Sequence, residues 1–248
     1  MSGEYESVSS DFNSDYQLGQ ISTSDSLGVI NPVASIRDYL VFNQLVVSRA
    51  ATHRIFGKRQ FDIVMSVLIL VLMSPVMLSA MALIWLSTFG RDPVFYRQLR
   101  VGYKGREFYI LKFRSMQVDA EKSGPQMASV NDSRVTRIGR IIRSTRIDEL
   151  PQLLNVLKGE MSLVGPRPER PEFVSRFQKQ INGYALRHKV KPGITGWAQV
   201  RYPYGETVED AANKLYYDLS YIRRSSLWLD ILILFQTIPV VLTGHGAR

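Results

Sequence analysis

Between Ile63 and Phe89 the chain runs for 27 residues without a charge. As one helix this stretch would reach roughly 40 Å, enough to cross a bilayer. Two features turn that reading. Ser74-Pro75 falls near the middle, where proline removes a backbone donor and kinks a helix. Both flanks are basic, with His53, Arg54, Lys58 and Arg59 before the run and Arg91, Arg97, Arg100, Lys104 and Arg106 after it. Positive flanks favour the cytoplasmic side. The pattern therefore predicts a re-entrant helix-break-helix hairpin over 58–90, entering and leaving by one face, broken at Ser74-Pro75 and anchored by Lys58 and Arg59. A kinked spanning helix is the alternative.

On either side the pattern changes. Residues 1–35 are rich in Ser, Asp, Gly and Asn, hold no persistent period and predict a disordered polar tail. They lack the basic start, short apolar core and cleavage site of a signal peptide. Residues 36–57 predict a short helical or linker segment. From 91 to 248 the pattern is that of a water-exposed domain. Val94–Arg97 and Phe108–Phe113 predict two strands of a hairpin, joined through Gly102 and Gly105. A polar loop over 119–133 leads to a helix over Arg134–Arg146 that starts near Asp132 or Ser133. A second helix runs from Pro151 to Leu157 and is closed by Gly159. Ser162–Pro168 predicts a short strand entering a Gly165-Pro166-Arg167-Pro168 turn. Helices follow over Glu172–Asn182 and Val208–Arg224, with a tight loop at Lys191–Gly196 between them. Leu227–Leu242 is apolar, contains Asp230 and Pro239, and is short for a span, so it is expected to lie in the interface or against the hairpin. The fold class is α+β, mainly helical: a monotopic membrane protein with a small β-hairpin in its cytoplasmic domain.

Composition narrows the chemistry. The 248 residues include no cysteine, which excludes a disulfide scaffold, a thiolate zinc site and a cysteine nucleophile. The first 50 residues hold six acids and two bases, a balance of −4, so the rest of the chain carries +13 of the net +9. A basic body suits phosphates, anionic lipid or nucleic acid. No helix-turn-helix or other recognition motif is present, so no nucleic-acid partner is expected.

Asp148-Glu149-Leu150-Pro151 reads in isolation as a helix start, since acids favour the positive end of the helix dipole. Arginine recurs at 134, 137, 140, 143 and 146, a drifting stripe on a helix that leads into the two carboxylates. Such a stripe is also an ordinary solvated or headgroup-facing surface. Together the cations and the carboxylate pair suit a metal–phosphate site, with one carboxylate holding Mg²⁺ and the other acting as base or nucleophile. Lys112 and Arg114 are two residues apart at the end of the second strand, on one face if the strand persists, where an exposed basic edge is the simpler use. Arg167 sits between two prolines in a stiff loop, a geometry suited to phosphate. His53, His188 and His245 form no pair at ligand spacing. Trp197, Tyr202, Tyr204, Tyr216, Tyr217 and Tyr221 offer stacking surfaces, although core packing is their commoner role.

The ordered set of motifs resembles the bacterial sugar transferase family, monotopic phosphoglycosyl transferases that begin exopolysaccharide and O-antigen assembly on a polyprenyl phosphate. The matching stretches are Lys58-Arg59-x-x-Asp62, Ser74-Pro75, Phe95-Tyr96-Arg97-Gln98-x-Arg100-x-Gly102 and Lys112-Phe113-Arg114-Ser115-Met116. They continue with Asp148-Glu149-Leu150-Pro151-Gln152, Ser162-Leu163-Val164-Gly165-Pro166-Arg167-Pro168, Lys191-Pro192-Gly193-Ile194-Thr195-Gly196 and the Asp218–Asp230 stretch. Each is weak alone; together, across 58–248, they are specific. The resemblance implies that Asp148 attacks the β-phosphate of a UDP-sugar and releases UMP. The phosphate of undecaprenyl phosphate then displaces the sugar phosphate from the enzyme, a two-step covalent course. It implies Mg²⁺ at Glu149 with Asp148, phosphate contacts from Lys112, Arg114, Arg143 and Arg167, and a functional but unassigned role for Asp218. It also implies placement at the cytoplasmic face of the bacterial inner membrane, with membrane lipid as a partner; a homodimer is compatible.

Two departures stand out. Many members carry Gly-Arg-Asn where this chain reads Val200-Arg201-Tyr202-Pro203-Tyr204-Gly205, so Arg201 is the candidate replacement cation and the transferred hexose is open. Larger members precede the core with spanning helices and a further domain, against about 57 residues here, so a minimal catalytic form is expected. The competing function class is a catalytically silent, membrane-anchored scaffold that binds UDP-sugar or glycosyltransferases.

Overall fold

The computed structural model describes residues 57–122, 124, 132–202, 205 and 207–242. The expected tail over 1–35, the 36–56 part of the linker segment, His53, Arg54, Tyr204 and His245 lie outside the described residues.

Helix α1 spans Lys58–Ser87 and has the length and apolarity to cross a membrane. The break expected at Ser74-Pro75 is instead a point inside one helix. Proline cannot donate to the carbonyl four residues earlier, which here belongs to Val71. The Ser74 hydroxyl takes that place, donating to the Val71 carbonyl at 2.8 Å, and the Ser79 hydroxyl donates to the Pro75 carbonyl at 2.8 Å. Buried or half-buried positions follow one helical face from Asp62 and Ser66 through Ile69, Met73 and Met77 to Ala80 and Ile84. The spacing of three and four keeps its phase across Pro75. The helix thus lies along the domain with one face, while Leu68, Val71, Leu72, Leu78, Trp85 and Leu86 stand exposed on others.

Strands β1 (Phe95–Val101) and β2 (Glu107–Phe113) form the expected antiparallel hairpin, longer than the apolar pattern suggested. Helix α2 (Arg137–Ser144) begins later than predicted because Thr136 caps it, its hydroxyl accepting from the Gly139 N–H at 2.9 Å. Arg134 precedes the helix and pairs with Asp132 at 2.5 Å. Arg146 follows it in the left-handed region at φ 58. The five-arginine stripe is therefore three helical residues with one turned off at each end. A 3-10 turn over Ile147–Gln152 leads into α3 (Leu153–Lys158), closed by Gly159 as expected.

Strand β3 (Ser162–Val164) pairs in parallel with β4 (Gly193–Thr195), which lies within the stretch expected to be a tight loop. Between them come α4 (Pro171–Gln180) and a 3-10 turn over Tyr184–Lys189. Helices α5 (Trp197–Arg201), α6 (Val208–Arg224) and α7 (Leu227–Leu242) complete the described chain. The main core gathers Val156, Met161, Leu163, Ile181, Leu215 and Ile222 from around the β3–β4 pair. A smaller core joins Ala80 and Ile84 of α1 to Phe113 and Ile142.

Lys58 and Arg59, expected to anchor the membrane segment, turn their side chains into the protein. Lys58 Nζ donates to Asp230 at 2.5 Å and to the Val164 carbonyl at 3.2 Å. Arg59 donates to the Val156 and Leu157 carbonyls at 2.5 and 2.7 Å, capping the C-terminal turn of α3. Asp62 accepts from Ser162 Oγ and Leu163 N, so the first turns of α1 hold strand β3 directly.

Candidate active site

The 3-10 turn over Ile147–Gln152 exists because Pro151 cannot continue an α-helical ladder and Arg146 has just reversed the chain. It presents Asp148 and Glu149, both buried, to a cavity of about 980 Å³. Glu149 is clamped. Arg167 donates to both of its oxygens, Nη2 to Oε1 at 2.5 Å and Nη1 to Oε2 at 3.2 Å, in the fork geometry suited to a carboxylate. Lys112 Nζ donates to Oε1 at 3.2 Å. Among the described residues Asp148 has no ion pair of this kind.

Lys112 reaches the dyad because β2 is pinned to α3. Buried Asn155 accepts from Leu111 N at 3.0 Å and donates to the Tyr109 carbonyl at 2.8 Å. Arg167 reaches it because two glycine-containing loops meet backbone to backbone. A Cβ on Gly165 would lie 2.4 Å from the Lys191 carbonyl oxygen, and one on Gly193 would lie 2.1 Å from Gly165 N. Neither loop tolerates a side chain at that crossing, which is the physical reason for glycine in both motifs.

The two carboxylates differ in proton affinity. Burial pushes Asp148 up to about 6; Glu149 adds to the rise, while Lys112, Arg143 and Arg146 oppose it. Burial also penalises the Glu149 anion, but Arg167 and Lys112 outweigh this and hold it well below the usual range. At neutral pH one carboxylate is ion-paired and the other is mostly ionised and open to the cavity.

The remaining candidates divide. Arg143 lines the cavity and acts electrostatically on Asp148. Arg114 does not share a face with Lys112, because β2 ends at Phe113. Its Nε donates to the Pro93 carbonyl at 2.7 Å and its guanidinium lies over the Tyr96 ring. Arg201 is exposed, sits 4.8 Å from the Trp197 ring centroid and is outside the cavity lining. Asp218 lines the cavity but pairs with Arg187, 2.8 Å away, and not with the dyad. Ser74, Pro75, Lys58 and Arg59 serve α1 as described above. Arg146 and Arg100 also line the cavity. Arg146 belongs to the stripe expected to face phosphate, whereas Arg100 stands in a motif with no role of its own, because nothing in spacing reveals which arginines turn inward.

A sequence model of the bacterial sugar transferase family matches residues 53–244. The UDP-N-acetylgalactosamine-undecaprenyl-phosphate N-acetylgalactosaminephosphotransferase of Aeromonas hydrophila is 49% identical over 211 residues, covering 85% of this chain and 49% of that protein. The UDP-glucose:undecaprenyl-phosphate glucose-1-phosphate transferase of Escherichia coli is 47% identical over 183 residues, covering 73% of this chain and 39% of that protein. A relative of the same name from Caulobacter vibrioides is 44% identical over 194 residues, 77% of this chain and 71% of that protein. The chain spans half or less of the length of the first two relatives.

Proposed function

The chain belongs to the bacterial sugar transferase family, and on that premise we propose that it transfers a sugar 1-phosphate from a UDP-sugar to undecaprenyl phosphate. Asp148 attacks the β-phosphorus. The bond to the bridging oxygen breaks, UMP leaves with that electron pair, and an aspartyl phosphosugar remains. A phosphate oxygen of undecaprenyl phosphate then attacks the same phosphorus, giving undecaprenyl diphosphate sugar and restoring the carboxylate. Carrying the reaction in two displacements fits a single open carboxylate beside a ring of cations.

The observation that carries this reading is the division of labour in the dyad. Glu149 is held by Lys112 and Arg167, whereas Asp148 faces the cavity without such a partner among the described residues. Lys112, Arg143, Arg146 and Arg167 supply the positive field that lets an anionic nucleophile approach a diphosphate.

Mg²⁺ fits the donor set. Asp148 and Glu149 both line the cavity, and Glu149 Oε2 accepts a single hydrogen bond, from Arg167. Two carboxylate oxygens plus phosphate oxygens and water are a common octahedral environment for this ion. Asp148 and Glu149 would hold it, and it would add charge neutralisation at the diphosphate.

The membrane placement follows as part of the same proposal: α1 lies against the cytoplasmic face of the bacterial inner membrane, with both of its ends on that side. Its support is the continuous packed stripe. A helix with one face packed on the domain from Asp62 to Ile84 cannot stand upright in lipid while that domain stays in water.

The test is UMP release from a panel of UDP-sugars, including UDP-N-acetylgalactosamine and UDP-glucose, with undecaprenyl phosphate and Mg²⁺. Release that requires Asp148 is expected. Absence of release with every donor overturns the proposal in favour of a silent scaffold.

A further inference from the structure

Three consecutive carbonyls of the Pro166-Arg167-Pro168 loop are each held from outside. Gly193 N donates to the Pro166 carbonyl at 3.0 Å, Arg187 Nη2 to the Arg167 carbonyl at 2.8 Å, and Arg100 Nη1 to the Pro168 carbonyl at 3.1 Å. Two of the three residues are prolines without an N–H, so the loop cannot brace itself with a local ladder. Its shape is set by these external donors.

We infer that Arg187 is a positioning residue for the proposed transfer reaction, acting through Arg167 and fixed in turn by Asp218. Arg187 lies on the 3-10 turn over Tyr184–Lys189, a different element from the dyad and from the Arg167 loop. Its guanidinium is buried, with Nη1 donating to the Tyr184 hydroxyl at 2.6 Å and the Tyr184 ring 5.1 Å from its centre. Asp218 Oδ2 is 2.8 Å from Nη2 yet has no aligned hydrogen bond, so that contact is charge against charge. A purely structural ion pair would be complete with Asp218 and Tyr184. The further N–H goes to the backbone of Arg167, whose side chain forks onto Glu149. The relay therefore runs Asp218, Arg187, Arg167 carbonyl, Arg167 guanidinium, Glu149. It gives Asp218 a role without direct contact to the reacting phosphorus.

This inference rests on the catalytic reading above, so its test carries one readout that needs no turnover. Removing Arg187 alone would strand a buried carboxylate, so the working variant is the Arg187→Met, Asp218→Leu pair, which takes away both charges at similar volume. With full-length protein in nanodiscs, that pair is expected to lower kcat for UMP release about 100-fold, the scale of a misplaced catalytic group. In an Arg167→Ala background the same pair is expected to cost less than about 3-fold, since the group it positions is already gone. Arg187→Lys, which keeps the charge and loses the fork, is expected to fall between. Equal losses in both backgrounds would overturn the relay. Independently, the Arg167 side-chain N–H signals in 15N NMR are expected to be sharp in the parent without any ligand and broadened in the paired variant. Signals unchanged in the paired variant would overturn the relay even if no UDP-sugar were ever turned over.

Discussion

Asp148 and Glu149 are chain neighbours of one chemical kind, yet their surroundings give them opposite proton affinities. The difference comes from which cations reach which oxygens: two N–H groups of Arg167 and the Lys112 ammonium converge on Glu149 and bypass Asp148. Glu149→Gln is therefore expected to release Arg167 and Lys112 and to lower UMP release roughly 100-fold, the scale seen when one preorganised electrostatic partner is removed. Lys112→Met is expected to cost a similar factor, with donor KM raised. A different residue sets a pH limit on the fold. His188 is buried beside Arg187, and burial followed by the Arg187 charge lowers it to about 4. A depressed histidine favours the unfolded chain once protonated, so stability is complete above the unfolded value near 6.5 and falls as pH drops from 6.5 toward 4. Thermal melts are expected to show His188→Gln losing less over that interval than the parent, by on the order of 3 kcal/mol at most.

At the scale of elements, the hairpin, the helix over Val208–Arg224 and the Gly159 stop were legible because their periods or punctuation are strong. Strand β4 was not, because three residues are too few for alternation to declare itself, and Pro192-Gly193 reads as a turn. The parallel β3–β4 pair depends on a crossing of two loops that are far apart in sequence. Gly193→Ala is expected to lose at least about 3 kcal/mol of stability, because the added carbon meets backbone and cannot be relieved by a rotamer change. The dyad and its cations were legible as residue types, but the turn of Arg146 into the cavity, and the binding of the cavity-lining Arg114 to the Pro93 carbonyl, depend on where α2 and β2 stop. Those ends are set by the left-handed backbone at Arg146 and by backbone bonds, such as Arg114 N to the Val94 carbonyl, that composition does not announce. The partners of Lys58 and Arg59 were hidden for a related reason. A cation at the edge of an apolar run looks like a headgroup ligand until Asp230, 172 residues away, is found beside it. Asp230→Ala leaves a largely buried ammonium unpaired and is expected to cost roughly 3 kcal/mol in a chemical melt, while Lys58→Met with Asp230→Leu recovers much of it.

Across the whole molecule, the uncharged run and the basic body become parts of one arrangement. Helix α1 turns one face to the domain and apolar side chains outward, and its first turns hold strand β3, which feeds the Arg167 loop. Single labels near residues 57 and 91 are expected to react only from the cytoplasmic side of sealed vesicles. Labels reporting opposite sides would replace this one-sided seating with a spanning helix. The central claim, that Asp148 is the nucleophile of a two-step transfer, is tested most directly without the acceptor. Protein in nanodiscs is incubated with Mg²⁺ and a UDP-sugar that supports UMP release, quenched, and mapped by peptide mass. The account predicts a sugar-phosphate adduct on the peptide holding Asp148, absent in Asp148→Asn and discharged by undecaprenyl phosphate. An adduct on another residue, or none while UMP release with acceptor proceeds, would contradict it.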